Sequence, residues 1–339
     1  MITIEPALLT ALASANQILC ISHVKPDGDA VGSLLGLGWL LLRLGKQPTL
    51  ALQDPVPDEH KVLPGADKIL TAQDDDYRAL VQEHPFDAVI SLDTSSADRM
   101  GNAYNPAVHG QVPLLVIDHH ITNTYFGTVN WVEPLCAATA QMVVYLADAL
   151  GVSLDSEMSE CLLTGLVTDT RGFRTSNTTV EVLEVAQRLM HAGASLTTIT
   201  QRTVNSQPFA MVKLWSLILP TIQLEDGVIW AAANELVFEQ VGLPVGDTGL
   251  SSYLVTADEA AMSAVFVEKQ EAGLITVECS FRAKPGYNVA ELALSLGGGG
   301  HPAAAGCTIP GTLVEVVPEV IRLMKQAYQE QTAQLFHAI

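Results

Sequence analysis

The sequence predicts an α/β protein, a parallel-sheet domain with helices on both faces followed by a smaller mixed α/β domain. Short, almost unbroken apolar runs recur through the first half: Gln17 to Ser22, Asp87 to Leu92, and Leu114 to Ile117. Runs of that length, rich in branched residues, read as buried strands of a parallel sheet. Each ends in groups able to bind or transfer protons: His23, then Asp93, then Asp118, His119 and His120. Open α/β sheets bind ligands at the carboxyl ends of their strands. Beyond about residue 220 the pattern changes to hairpin signals, the first being Asp226-Gly227 between two apolar runs.

Taken in order, residues 5 to 16 suit an opening helix, and the Gln17 strand leads into the turn His23-Val24-Lys25-Pro26-Asp27-Gly28-Asp29. Ser33 to Leu44 is a buried helix candidate in which Gly36 and Gly38 are expected to allow a strand to approach closely. Pro48 to Leu52 is a second strand candidate, and loops follow at Asp54, Pro55, Pro57 and Pro64-Gly65. After the Leu114 strand, Ala137 to Leu150 and residues 156 to 168 have helical character, the latter running into Asp169-Thr170-Arg171-Gly172-Phe173-Arg174. Thr178 and Glu181 have capping-box spacing ahead of a third helix. In the second half, Ala264 to Val267 and Leu274 to Val277 form a hairpin candidate turning at Glu271-Ala272-Gly273. Asn288 to Leu296 is a short helix candidate leading into Gly297-Gly298-Gly299-Gly300-His301-Pro302, and Leu313 to Tyr328 is a closing helix with Pro318 near its first turn.

At 339 residues the chain suits two domains, which we place at 1–192 and 220–339 with a helical linker over 193–219. Its 48% hydrophobic and 16% charged content fits a compact soluble protein. The formal net charge of -20, from 17 Lys and Arg against 37 Asp and Glu, repels long polyanions and argues against a grip on duplex nucleic acid. A small anion at one local site stays compatible with that field, since metals and a few basic groups act at short range. Cys20, Cys136, Cys161, Cys279 and Cys307 lack paired spacing and read as buried thiols in a reducing compartment. The apolar stretch from Leu34 to Leu42 is cut short by Arg43, too soon to span a bilayer, and no basic region precedes the first apolar residues. A cytoplasmic protein with no membrane partner is expected, and a homodimer is compatible.

His23, Asp27, Asp29, Asp93, His119 and Asp169 lie at strand and helix ends. Converging carboxylates repel unless counterions join them. Two divalent cations would neutralise them; oxygen donors with some imidazole favour manganese, with magnesium, cobalt or iron as alternatives. The competing reading leaves these acids apart, as caps and turns. His60, His84, His109, His191 and His337 are expected to be exposed, and Trp39 and Trp131 to serve packing. Scarce basic residues gather beside the motifs at Lys25, Arg171, Arg174, Arg282 and Lys284, consistent with a locally positive cleft.

The stretch from His23 to Ser33, with Asp93, Asp118-His119-His120, Thr168-Asp169 and the run from Gly297 to Gly306, resembles the DHH phosphoesterases that carry a DHH-associated domain. The resemblance spans both halves in order, and within the family it is closest in kind to the nanoRNase and pAp-phosphatase branch. It implies a two-metal phosphohydrolase acting on very short oligoribonucleotides and 3'-phosphoadenosine 5'-phosphate, with the site between the domains. By position, His23 and Asp27 would bind one metal, Asp29, His119 and Asp169 the other, with Asp93 bridging. Asp118 would orient a ligand histidine, and His120 would face the scissile phosphate. Arg282 and His301 would grip a substrate phosphate beside Gly298, Gly299 and Gly300, with Arg174 as a further contact. The chain departs from the branch where Arg171 stands between Thr170 and Gly172, which alters the loop that carries Arg174. Two other readings keep this site: hydrolysis of cyclic or linear dinucleotide messengers, or a nucleotide sensor without turnover.

Overall fold

The computed structural model describes residues 2–271 and 273–337, arranged as two compact units, one ending at Ser206 and the other beginning at Gln207. The first unit holds strands β1 (Gln17–Ile21), β2 (Gln47–Leu52), β3 (Leu70–Thr71), β4 (Ala88–Leu92), β5 (Leu114–Asp118) and β6 (Val129–Val132). They form one sheet in the order β3-β2-β1-β4-β5-β6, and every adjacent pair is parallel. The order reverses between β1 and β4. At such a switch point the loops leaving the carboxyl ends diverge and open a crevice.

Helices α1 (Pro6–Ser14), α2 (Gly28–Arg43), α3 (Pro106–His109), α4 (Thr139–Ala149), α5 (Ser156–Asp169), α6 (Val180–His191) and α7 (Leu196–Arg202) complete the unit. Alternate strand residues face opposite sides. Ile18 and Cys20 join Leu34, Leu37, Val143, Leu162 and Leu166 in a core built from α2, α4 and α5. Leu19 and Ile21 face the other way, into a smaller cluster with Tyr77, Val81, Phe86 and Met100, which the segments between β3 and β5 supply.

Helices α2 and α5 meet through glycines. Gly28, Gly32 and Gly36, four residues apart, share one face of α2. A methyl group at Gly32 would lie 2.5 Å from the Cys161 carbonyl oxygen and 2.8 Å from the Gly165 nitrogen; at Gly36 it would meet Leu162 at 2.2 Å, and at Gly28 the Thr168 side chain at 2.4 Å. Gly36 therefore serves a helix rather than a strand, whereas Gly38 does face a strand, with Leu50 of β2 at 2.9 Å.

The segment expected as a linker divides after Ser206. Ile199 of α7 is buried in the first unit, and Leu214 and Ile218 of α8 (Phe209–Ile218) are buried in the second. The remaining helices of the second unit are α9 (Glu235–Glu239), α10 (Leu250–Leu254), α11 (Ala290–Ser295) and α12 (Leu313–His337). Its strands are β7 (Gln223–Glu225), β8 (Val228–Asn234), β9 (Met262–Glu271), β10 (Leu274–Ala283), β11 (Gly299–His301) and β12 (Ala304–Pro310). The sheet runs β11-β12-β10-β9-β8-β7, with β8 and β9 parallel and the other pairs antiparallel. Phe266, Phe281, Val320 and Met324 build the core under α12, and Leu214, Phe238, Leu254 and Val265 build the core on the opposite face.

At the β7–β8 hairpin Asp226 and Gly227 have φ of 47° and 73°, the left-handed pair that a two-residue turn needs to match strand twist. In the β9–β10 hairpin, Ala272 lies outside the described residues. Helix α12 runs nine residues past the expected end at Tyr328, to His337. Polar contacts hold this extension: the Gln331 side chain accepts from the Asn288 backbone N–H at 2.7 Å and donates to the Asn288 carbonyl at 2.9 Å. All five cysteines are free and buried. Among the described residues no helix is long and apolar enough to cross a membrane.

Gly32→Ala should lower stability by about 1–3 kcal/mol, the usual cost of forcing volume into a packed interior. Denaturant unfolding followed by circular dichroism would check it, and a midpoint equal to that of the parent would contradict the backbone contact described.

Candidate metal centre

The loop after β1 is held by its own backbone. Val24 N–H donates to the Arg99 carbonyl at 2.7 Å, and Lys25 N–H, at a left-handed φ of 53°, donates to Asp54 at 2.6 Å. His23 emerges here with Nδ1 against the Val24 carbonyl at 2.8 Å. That contact assigns the ring hydrogen to Nδ1 and leaves the Nε2 lone pair turned inward. His119 is set in the same way, its Nδ1 lying 3.2 Å from the Cys136 carbonyl.

The acids are helix caps and also cluster members. Asp27 accepts from the N–H groups of Asp29 and Ala30 at 3.1 and 3.0 Å, capping α2. Buried Asp29 accepts from the Thr139 and Ala140 N–H groups at 2.6 and 2.9 Å, capping α4 from a distant part of the chain. Asp93 is buried at the end of β4 with φ of 54°, a left-handed conformation costing about 1–3 kcal/mol in a residue other than glycine. Its Oδ1 accepts from the Thr139 hydroxyl at 3.1 Å. Asp169 is the last residue of α5, so the α2–α5 glycine contact carries it towards the start of α2.

These groups converge. His23 Nε2 lies 3.5 Å from Asp93 and 3.7 Å from Asp27, and His119 Nε2 lies 3.6 Å from Asp93 and 3.4 Å from Asp169. Three groupings place one ligand atom per residue within 4.8 Å of one another: His23, Asp27 and Asp93; Asp29, His119 and Asp169; and Asp93, His119 and His120. Neither helix capping nor convergence excludes the other, because a carboxylate has lone pairs for both.

The protonation pattern is that of a centre short of positive charge. Burial opposes a charged His23, but bonds to Asp27 and Asp93 raise its pKa to about 10. Burial would raise Asp27, yet His23 holds it down at about 2. Burial, reinforced by Asp93, Asp169 and Asp27, lifts Asp29 well above the usual carboxylate range. Burial also lifts Asp169 to about 6, against the pull of His119 and with the push of Asp93. The donor set of carboxylate oxygens and fixed imidazole Nε2 atoms fits divalent cations, which would replace these protons.

Asp118 bonds to a histidine, and that histidine is His120. Fully buried, it pairs with His120 through Nδ1 at 2.7 Å, whereas His119 is oriented by the Cys136 carbonyl. The bond to Asp118 is the main reason that the His120 pKa rises to about 9, and burial resists but does not prevent a lowered Asp118. Asn123, passed over in the sequence as a loop residue, donates to Asp118 at 2.6 Å. The sequence holds no signal for this contact or for the Thr139 hydroxyl, since both depend on chain reversals.

Arg174 does not enter the cluster: its Nε donates to the Arg171 carbonyl at 2.7 Å, and the side chain is exposed. Arg171, Gly172 and Phe173 are successively left-handed, with φ of 49°, 73° and 63°, so the inserted arginine tightens the loop into a reversal. His60 and His109 are buried, contrary to expectation; His109 is held by the Val81 carbonyl at 2.6 Å and the Asn105 N–H at 3.1 Å. His191 is exposed and His84 half-buried, and the His337 side chain lies outside the described residues. Trp131 is buried, and Trp39 donates to the Pro64 carbonyl at 3.0 Å.

In the second unit, Arg282 of β10 pairs with Ala304 of β12, which pairs with His301 of β11. Residues directly opposed across strands project to one face, so Arg282 and His301 flank Ala304 on a common side. Arg282 Nε donates to the Ser252 hydroxyl at 3.0 Å, a residue that sequence reading passed over, and His301 is exposed. Gly298 admits no side chain, because a methyl group would sit 2.1 Å from the Gly306 carbonyl oxygen; Gly300 has φ of 141°, and Gly299 is open to solvent.

Residues 17–166 match the DHH family, N-terminal domain, and residues 248–330 match the DHHA1 domain. Over 324 residues the chain is 36% identical to the bifunctional oligoribonuclease and PAP phosphatase NrnA of Thermus thermophilus, covering 94% of this chain and 92% of that protein. The chain belongs to the DHH family. The DHH protein NrnA of Bacillus subtilis is 26% identical over 308 residues, covering 89% of this chain and 92% of its own. The crystal structure of an exopolyphosphatase-related protein from Bacteroides fragilis superposes with a TM-score of 0.83, covering 97% of this chain and 96% of that one, at 24% identity; this bears on the fold alone. As a DHH phosphoesterase the chain is a metal-dependent hydrolase, and the His and Asp groupings above are able to bind the ions.

A cation bound at the grouping of His23, Asp27 and Asp93 would displace the proton on His23, so the apparent affinity for a divalent cation such as Mn2+ should climb by about tenfold per pH unit per proton released between about pH 6 and 8, below the His23 pKa of about 10. Calorimetric titration in buffers of differing ionisation heat checks this. A pH-independent affinity with no proton release would contradict it.

Proposed function

We propose that this DHH protein holds two divalent cations, one on His23 and Asp27, the other on Asp29, His119 and Asp169, with Asp93 shared. The observation that carries this reading is the position of Asp93, whose two oxygens lie 3.5 Å from His23 and 3.6 Å from His119, members of separate ligand groupings. Manganese is the preferred ion, since mixed carboxylate and imidazole donors without thiolate suit it. When bound, the cations would neutralise the acids, lower the pKa of nearby water and stabilise charge on phosphoryl oxygens.

The substrates are very short oligoribonucleotides, degraded to mononucleotides, with 3'-phosphoadenosine 5'-phosphate as a second substrate. Near full-length similarity to NrnA proteins supports this, as does the net charge of -20, which disfavours long RNA. His120, its Nδ1 engaged by Asp118, presents Nε2 as the proton donor to the leaving oxygen. Arg282 and His301 hold a substrate phosphate, and the flat glycine strand beside them lets it approach. Buried free cysteines support a cytoplasmic setting.

The test is hydrolysis of a labelled diribonucleotide, a long RNA and 3'-phosphoadenosine 5'-phosphate with manganese, using Asp93→Ala as the blank. We expect the dinucleotide to turn over at least tenfold faster than the long RNA, about 1.4 kcal/mol in barrier, and to survive intact with Asp93→Ala. Equal rates on short and long chains would overturn the substrate reading, and turnover by Asp93→Ala would overturn the shared ligand.

A further inference from the structure

We propose that Asn123 is a positioning residue that aims His120 at the leaving group through Asp118; the inference rests on the phosphodiester-hydrolase reading above. Asp118 is fully buried and divided between two partners, with Oδ1 against His120 Nδ1 at 2.7 Å and Oδ2 accepting from Asn123 Nδ2 at 2.6 Å. A carboxylate held at one oxygen can swing about its terminal torsion, and the imidazole on it swings too. The second bond fixes the carboxylate plane and hence the direction of His120 Nε2. An amide does this without charge, so Asp118 keeps its negative charge for His120; a lysine there would draw it away.

Asn123 is 8% exposed and its polar atoms are all engaged. Besides Asp118, Nδ2 donates to the Thr94 carbonyl at 3.1 Å, and Oδ1 accepts from the Tyr125 N–H at 2.7 Å. Thr94 directly follows Asp93, and the next link, Thr124 N–H to the Ser95 carbonyl at 2.9 Å, runs between the same two loops. One side chain thus ties the proton donor to the backbone that carries the shared carboxylate. Its effect belongs to one step. As the bond from water oxygen to phosphorus forms, the bond from phosphorus to the ribose oxygen breaks, and its electron pair stays on that oxygen. That oxygen takes the proton from His120 Nε2, and the proton that the attacking water loses passes to solvent, from which His120 Nε2 is reprotonated, so phosphodiester and water yield phosphomonoester and alcohol.

The test compares wild type, Asn123→Ala, His120→Ala and the double variant on two substrates with manganese. One is a diribonucleotide, whose ribose oxygen needs a proton to leave; the other is a nucleoside 5'-p-nitrophenyl phosphate, whose phenolate leaves without one. Asn123→Ala should lower kcat on the dinucleotide by about 10- to 100-fold, the range for groups that orient a site residue, with KM and bound manganese unchanged. The loss on the p-nitrophenyl ester should be at least tenfold smaller, and in the His120→Ala background Asn123→Ala should cost nothing further. Equal losses on both substrates, or additive losses in the double variant, overturn the proposal. If Asn123→Ala does not fold, Asn123→Asp makes the same comparison, since it keeps the acceptor for Tyr125 and removes the amide donor. A wild type unable to cut the dinucleotide sinks the function reading and this inference together; an active wild type with additive losses sinks this inference alone.

Discussion

The closeness of α2 to α5 is the constraint on which the metal centre depends. Asp27 and Asp29 stand at the first turn of α2, and Asp169 at the last turn of α5. Carboxylates at such ends meet only if the helices pack more tightly than side chains normally allow. Glycines at 28, 32, 36 and 165 remove those side chains, and at Gly165 a methyl group would lie 2.6 Å from Asp29 itself. A contact made for packing thus sets a distance needed for chemistry.

The electrostatics follow from that geometry. Four carboxylates in one crevice would drive it apart, and several devices lessen the strain: Asp27 and Asp29 face the positive ends of α2 and α4, Asp93 takes a hydroxyl donor, and His23 carries a proton. Each carboxylate keeps a lone pair for the cluster, and His23 Nε2 regains its own once the proton leaves. Folding and ion binding therefore draw on the same groups, and ions that bind only the folded state stabilise it by mass action.

How much of this was legible in the sequence depends on the range of each interaction. Strands β1, β4 and β5 are legible as apolar runs with polar groups at their ends, and six of the cluster residues are legible as those end groups, whereas the order of the strands and the short β3 and β6 are not. That Asp118 orients a histidine is legible from the motif, but which of the two adjacent rings it holds is not, because only the path of the backbone brings the His120 ring back onto it. Gly36 and Gly38 in an apolar helix indicate close approach but not the element approaching, which is α5 for Gly36 and β2 for Gly38. His60 and His109 were expected at the surface, yet the His109 ring finds a carbonyl and an N–H that no local pattern foretells. The end of α12 lies past the last apolar repeat, where Gln331 and Asn288 hold it through polar bonds.

The row formed by Arg282, Ala304 and His301 bears on how this family can vary. Side chains alternate along a strand with a period of two, so losing or gaining one residue in the Pro302-Ala303 turn between β11 and β12 would slip the pairing that sets His301 opposite Ala304. The length of that turn is therefore constrained, as is the composition of the glycine run before it, where Gly298 admits no side chain and Gly300 has a positive φ. Point changes at solvent-open Gly299 leave the register intact, whereas a single-codon deletion in the turn would move His301 out of line with Arg282 while every glycine of the run remained.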